Sequence, residues 1–184
     1  PRLKLVIRGG VGLDNVDRKA CEARGIVVKN TPKASSVSVA EMAMALMVAI
    51  PARLIEAHMG MKQGKFLKSE LKRTELFKKT LGLIGAGSIA TEVEKRAEAF
   101  GMTVLAYDPF LTEHPLATMV GSLDELVARA DVISLHTPLT DDTRGMINSA
   151  LIAKMKDGVI IINTARGKCV VEADLAAALE SGKV

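Results

Sequence analysis

The chain has 184 residues, 48% of them hydrophobic and 25% charged, with a formal net charge of +4 at pH 7. That balance excludes a disordered or fibrous chain, and the length allows one full core with part of a second. The longest apolar run, Met42 to Ile50, is too short to span a bilayer, and no signal-peptide pattern opens the chain. A soluble, cytoplasmic protein without a membrane partner is therefore expected. Cys21 and Cys169 are isolated, giving neither a disulfide framework nor metal-ligand spacing. Reduced, structural thiols and no metal site are expected.

Leu3 to Ile7 reads as a strand, and Pro1 stands almost directly before it, which suggests further structure upstream. Arg8-Gly9-Gly10-Val11-Gly12 is a glycine-rich loop whose backbone N–H groups can form an anion-binding concavity. An ordinary strand-to-helix turn is an equally good reading. Asp14 or Asn15 would cap a helix ending near Arg24-Gly25. Ile26-Val27-Val28 is a second short strand, broken by Asn30-Thr31-Pro32. From Ser36 a long helix is expected, with Val37, Ala40, Met44, Met47 and Val48 on an apolar stripe. It is apolar on nearly every side to Ile50, so wide burial is expected. Pro51 interrupts it, and the pattern resumes through Leu54, Ile55, His58 and Met61. The methionines read as core or subunit contact, and His58 as structural. Lys62, Lys65, Lys68, Lys72, Arg73, Lys78 and Lys79 follow as a basic run. With only Phe66 and Phe77 interleaved, it reads as a solvated face and not as a nucleic-acid patch.

The stretch from Thr80 to Ala90 organises the chain. It reads as a buried strand, a tight glycine turn and the first turn of a helix. Gly85 and Gly87 let the backbone turn sharply and a diphosphate approach closely, and Ala90 is the small residue that lets helix and strand pack. The free N–H groups and positive end of the helix beginning near Ser88 would hold phosphates. Alone, this pattern is weak and could be a plain turn. A strand from Thr103 to Tyr107 ends at Asp108, 21 residues past Gly87, where a carboxylate accepts from an adenosine ribose and favours NAD over NADP.

The helix from Ser88 to Phe100 should bury Ile89, Val93, Ala97 and Phe100 and stop at Gly101. Ser122-Leu123-Asp124-Glu125 is a capping box opening a helix to Ala130. The strand Asp131 to Leu135 ends at His136-Thr137-Pro138. Asn148 starts a helix to Met155, and the strand Val159 to Ile162 ends at Asn163-Thr164-Ala165-Arg166. A last helix runs from Val171 to Glu180. Strands alternate with helices, and the strands are continuously apolar, so the fold class is α/β with a doubly wound parallel sheet. Ligands in such sheets bind beyond the carboxyl ends of the strands, where these motifs converge. Arg166 is the only fixed cation among them, and its planar fork suits a substrate carboxylate and adjacent carbonyl; a surface salt bridge is the alternative. His136 suits acid–base work by residue type, but no carboxylate near in sequence orients it, so a cofactor contact is the better reading.

Together, Arg8 to Asp17, Asn30-Thr31-Pro32, Ser38-Val39-Ala40-Glu41, the Gly85 to Ala90 turn, His136 to Leu139 and Asn163 to Gly167 resemble the D-isomer-specific 2-hydroxyacid dehydrogenases. Within that family the phosphoglycerate dehydrogenases look most similar. The resemblance implies NAD as cofactor and a small 2-hydroxy or 2-oxo acid as substrate. It implies a division at 1–29, the end of a substrate-binding segment, and 30–184, a Rossmann-like NAD-binding domain. Gly9, Gly10, Val11 and Gly12 would hold the substrate carboxylate. Ser88 and Ile89 would meet the diphosphate, Asp108 the ribose, and His136, Thr137 and Pro138 the adenosine side. Thr164 and Ala165 would lie beside the nicotinamide, with Arg166 catalytic. The family's dimer contact would fall on Ser36 to Met61. Position 88 is commonly Arg in the family and is Ser here. The family's catalytic glutamate and histidine lie downstream of Val184, so a C-terminally truncated domain that binds NAD with little turnover is expected. An NADH-sensing regulator on the same fold remains an alternative.

Overall fold

Strands apolar at every position need cover on both faces, and the structure provides it. The computed structural model of the chain describes residues 2–184. Two parallel sheets follow one another. In the first, β1 (Leu5–Arg8) pairs with β2 (Val27–Asn30), Leu5 opposite Val27 and Arg8 opposite Asn30, with α1 (Arg18–Glu22) in the connection. The cap of α1 is Asp17, whose carboxylate accepts from Ala20 N at 2.9 Å, and not Asp14 or Asn15. Gly25 then turns the chain with φ of 64°.

Helix α2 (Ser36–Ala49) and helix α3 (Leu54–Lys62) are bent by 70° relative to each other around Pro51. Proline lacks the N–H that would continue the ladder. Helix α2 does not bury the stripe expected of it. Ala40, Ala43, Met44 and Met47 face inward, while Val37 and Val48 lie on the exposed side with Met42, Leu46 and Ile50.

The second sheet contains β3 (Thr80–Ile84), β4 (Thr103–Tyr107), β5 (Thr118–Met119), β6 (Val132–Leu135) and β7 (Ile160–Asn163), in the order β5-β4-β3-β6-β7 and parallel throughout. Helix α4 (Ser88–Ala99) joins β3 to β4, α5 (Leu123–Arg129) joins β5 to β6, and α6 (Ser149–Ala153) joins β6 to β7. A 3-10 turn (Gly167–Cys169) and α7 (Glu172–Glu180) close the chain. The strand order reverses between β3 and β6, which opens a crevice at their carboxyl ends. Strand β5 has two residues and no sequence signal announced it.

Side-chain alternation divides the core. Leu81 and Leu83 of β3 face α2 and α4 with Ala40, Met44, Ala90 and Val93. Ile84, Leu105, Ile133 and Leu135 face the other way, onto Leu126 of α5, Leu151 of α6 and Ala178 of α7. Each of these fully buried large side chains contributes about 1.5–3 kcal/mol through removal from water. The helix ends follow the caps, with one shift. Ser122 Oγ accepts from Glu125 N at 3.1 Å, but the Glu125 carboxylate returns to Gly121 N at 3.2 Å, one residue before the expected donor. Asn148 Oδ1 accepts from Leu151 N at 3.0 Å. Phe100, expected in the core, is exposed beyond the end of α4.

Gly82 marks where β3 packs tightest. A Cβ there would lie 2.6 Å from Leu126 Cδ2 and 2.9 Å from the Ala130 Cβ. Gly82→Val is expected to cost about 1–3 kcal/mol by overpacking, read as a lower urea midpoint at unchanged slope.

Candidate active site

The turn after β3 is built by what Gly85 lacks. Its φ is 92°, and a Cβ would stand 2.8 Å from the His136 carbonyl oxygen. Gly85 N donates to Tyr107 O at 2.8 Å, and His136 N to Ile84 O at 2.8 Å, so the turn is fixed between β4 and the end of β6. A Cβ on Gly87 would meet nothing within 4 Å, which leaves open space at the N-terminus of α4. The first intrahelical bond from this turn is Thr91 N to Gly87 O. The N–H groups of Ser88, Ile89 and Ala90 therefore have no helical acceptor and are available to an anion. Ala90 is fully buried against β3, in the close packing that its size predicts. The Ser88 side chain is exposed.

Asp108 stands at the end of β4. One oxygen accepts from Ala86 N at 3.0 Å and the other from Phe110 N at 2.9 Å, so the carboxylate is fixed over the glycine turn. On the other side of the crevice, Thr137 Oγ1 and Thr164 Oγ1 are buried without a hydrogen-bond partner. Unpaired buried hydroxyls are costly and point to a polar ligand.

Between the two sheets lies a cleft of about 720 Å³, whose walls include Arg8, Val11, Ile89, Thr137, Thr164 and Arg166. Asn163 shapes the turn that delivers Arg166: its Oδ1 accepts from Ala165 N at 3.0 Å and its Nδ2 donates to Arg166 O at 2.9 Å. Arg166 donates Nε and Nη2 to the two carboxylate oxygens of Asp14, at 3.0 and 2.8 Å, and Nη1 to Ala165 O at 2.8 Å. Gly12 makes room, since a Cβ there would collide with Arg166 Nη2 at 1.6 Å. The Arg166 guanidinium holds Asp14 below the usual carboxylate range, and Asp14 in turn raises Arg166.

Thr137, Pro138, His136, Ile89, Thr164, Ala165, Arg166, Val11 and Gly12 all line this cleft. Gly85, Gly87 and Asp108 are not among its lining residues; they lie on the turn that leads to Ile89. Gly10 is already engaged: its N–H donates to Thr31 Oγ1 at 2.7 Å and its carbonyl accepts from Thr31 N at 3.1 Å. Gly9 is exposed. The His136 ring meets Ser134 Oγ at 2.9 Å, and burial pushes it down to about 4, so it is neutral at physiological pH. Asp14 as the partner of Arg166 had no sequence signal beyond its place two residues after Gly12.

A helix start with free N–H groups, a carboxylate fixed at the end of β4 and an arginine at the strand ends are the parts of a dinucleotide-binding α/β domain. Residues 44–184 match the model of the D-isomer specific 2-hydroxyacid dehydrogenase, NAD binding domain, and the chain belongs to that family. It is 52% identical over 182 residues to a hydroxypyruvate reductase from Thermotoga maritima, covering 99% of this chain and 60% of that protein. It is 44% identical over 187 residues to a D-3-phosphoglycerate dehydrogenase from Methanocaldococcus jannaschii, covering 100% of this chain and 36% of that one. Among solved structures, a D-lactate dehydrogenase from Aquifex aeolicus, complexed with NAD and lactic acid, superposes with a TM-score of 0.90 at 43% identity, over 100% of this chain and 56% of its own. The chain thus spans between about a third and three fifths of the length of these relatives.

The buried threonine hydroxyls, the free helix N–H groups and the seated Asp108 fit a dinucleotide. Gly85→Ala is expected to weaken NADH binding at least about tenfold, since a strained left-handed residue costs on the order of 1–3 kcal/mol. Titration calorimetry checks it, with circular dichroism confirming an intact fold.

Proposed function

We propose that the protein is an NAD-dependent D-2-hydroxyacid dehydrogenase. Residues 1–29 would be the end of its substrate-binding segment and 30–184 its NAD-binding domain. The observation that carries this reading is Arg166, gripped by Asp14 on one edge of its guanidinium at the wall of the cleft. Nη1 and Nη2 each keep a further N–H. That free edge can meet a substrate carboxylate and the neighbouring carbonyl oxygen, polarising C2 and orienting it. NAD, when bound, supplies or accepts the hydride. The N–H groups of Ser88 and Ile89 would hold its diphosphate, Asp108 its ribose, Thr137 and Pro138 the adenosine side, and Thr164 and Ala165 the nicotinamide side. Val11 and Gly12 border the substrate position. His136 is held neutral and turned to Ser134, so in this reading it is not the proton carrier.

For the substrate we favour 3-phosphoglycerate, which would place the protein in serine biosynthesis. Arg8 and Arg18 line the same cleft as Arg166, and two further cations suit an acid that carries a second anionic group. Hydroxypyruvate is the second reading, favoured by the 52% identity to the Thermotoga maritima protein. In the full-length protein with NADH, phosphohydroxypyruvate is expected to exceed hydroxypyruvate in kcat/KM by about tenfold or more, and Arg8→Ala to erase the difference. A preference for hydroxypyruvate in the parent protein overturns the phosphate assignment. The 184-residue chain by itself is expected to bind NADH in calorimetry and to show little turnover.

The same reading assigns a homodimer to the α2–α3 face. Met42 is 58% and Ile55 67% exposed there, beside Leu46, Leu54, Met59 and Met61. A contiguous apolar face of this kind marks an interaction surface. Met42→Glu with Leu46→Glu is expected to leave the fold intact and convert a dimer to a monomer in light scattering.

A further inference from the structure

Three polar side chains outside the cleft, two buried and Thr91 half-buried, form a chain that the reaction does not use. Glu94, in the middle of α4, is fully buried. His114 Nδ1 lies 3.0 Å from Glu94 Oε2, and the two side chains are 0% and 4% exposed. On its other side, His114 Nε2 lies 3.1 Å from Thr91 Oγ1, which donates to the Gly87 carbonyl at 3.2 Å. The order Thr–His–Glu resembles a nucleophile triad, but the Thr91 proton is directed at Gly87. When Thr91 makes that bond it accepts from Nε2, and Nε2 carries the proton.

That assignment fixes the rest. Nδ1 either holds a second proton, giving an imidazolium beside a carboxylate, or is bare beside a protonated Glu94. In both states one proton sits on the pair and the site has no net charge. Neither Glu94 oxygen has an aligned hydrogen-bond donor, and Ala117 N, at 3.5 Å, is a marginal donor to Nδ1. Losing the shared proton leaves a bare buried carboxylate, which is costly. Burial, with a smaller push from Glu98, raises Glu94 to about 7. Among the described residues no cation other than His114 pairs with it. Glu92, Lys95 and Arg96 pair with one another on the outer side of α4, Arg96 also reaching Glu41 of α2. The strands β3 and β4 present Leu81, Leu83, Val104 and Ala106, and Glu113 is exposed in the loop of His114.

The loop that carries His114 runs from Pro109 to Ala117 and starts at Asp108, the carboxylate seated on the glycine turn. Phe110, Leu111 and Leu116 point to solvent, while His114 and Ala117 are its inward anchors. We propose that Glu94 and His114 form a one-proton latch that clasps this loop to α4 and is released at alkaline pH, weakening cofactor binding. The sign follows from the raised carboxyl: the latch is intact while the proton is bound and is lost as pH rises through about 7. The latch is independent of the substrate; its effect on NADH rests on the dehydrogenase reading.

The test uses the full-length protein between pH 5.5 and 9. Hydrogen exchange of the Phe110 and Ala117 amides, which have acceptors in this loop, corrected for intrinsic rates and measured without cofactor, is expected to lose protection as pH rises. The NADH dissociation constant is expected to rise on the order of tenfold. Glu94→Gln should make both readouts flat, and His114→Ala should leave the loop unprotected at every pH. Unchanged protection across the range, or the same pH profile in Glu94→Gln as in the parent, overturns the latch. Protection that changes as expected in a protein binding no NADH at any pH upholds the latch and overturns the cofactor reading instead.

Discussion

The structure depends on a missing methyl group at Gly85. With a Cβ there, the turn after β3 would press on the His136 carbonyl at 2.8 Å, and the ends of β3 and β6 could not lie side by side. With only hydrogen, the strand runs to its last hydrogen bond, turns at once, and points the N-terminus of α4 into the crevice between β3 and β6. Asp108, Gly87 and Thr137 are referenced to that turn. Asp108 is seated on Ala86 N, Gly87 leaves its outer face open, and Thr137 follows directly on the carbonyl that Gly85 approaches. The site therefore follows from a close approach of backbone to backbone, which no side-chain contact could replace.

Features encoded by short-range chemistry were legible in the sequence. The glycine spacing, the acid at the end of β4 and the Ser122 and Asn148 caps each depend on neighbours within a few residues or on strand length. Where several local solutions compete, the reading went astray: Asp14, Asn15 and Asp17 are all fit to cap α1, and Asp17 does so. In α2, apolar side chains occupy nearly every position, so periodicity could not say which stripe meets α4. The structure buries Ala40, Ala43 and Met47, whose inward face packs on α4, and leaves Val37 and Val48 outside. Strand β5 forms because β4 offers an edge at Leu105 and Ala106, not because Thr118 and Met119 announce it. The pairs Asp14–Arg166 and Glu94–His114 join residues 152 and 20 apart in sequence, and no spacing rule reaches them.

The two candidate proton or charge carriers in the cleft are sorted by desolvation. A histidine loses its charge readily on burial, and His136, with only the Ser134 hydroxyl beside it, is pushed down to about 4. A guanidinium keeps its charge in any such setting, and Arg166 is further raised by Asp14. At the ends of β6 and β7 the crevice thus presents a neutral ring and, in Arg166, a permanent cation, with Arg8 and Arg18 further along the same walls. The second is suited to hold an anion, and the first is not.

The Arg166–Asp14 pair also links the two sheets, because Asp14 follows the glycine loop after β1 and Arg166 follows β7. As an exposed pair, with Asp14 half-open to water, it contributes little to stability, on the order of 0–1 kcal/mol. Its value lies in geometry. Two parallel N–H to oxygen bonds fix the plane of the guanidinium as a single contact could not, and Gly12 leaves room for that plane to lie flat. Because one partner sits on each side of the cleft, the orientation of the arginine and the spacing of the walls vary together.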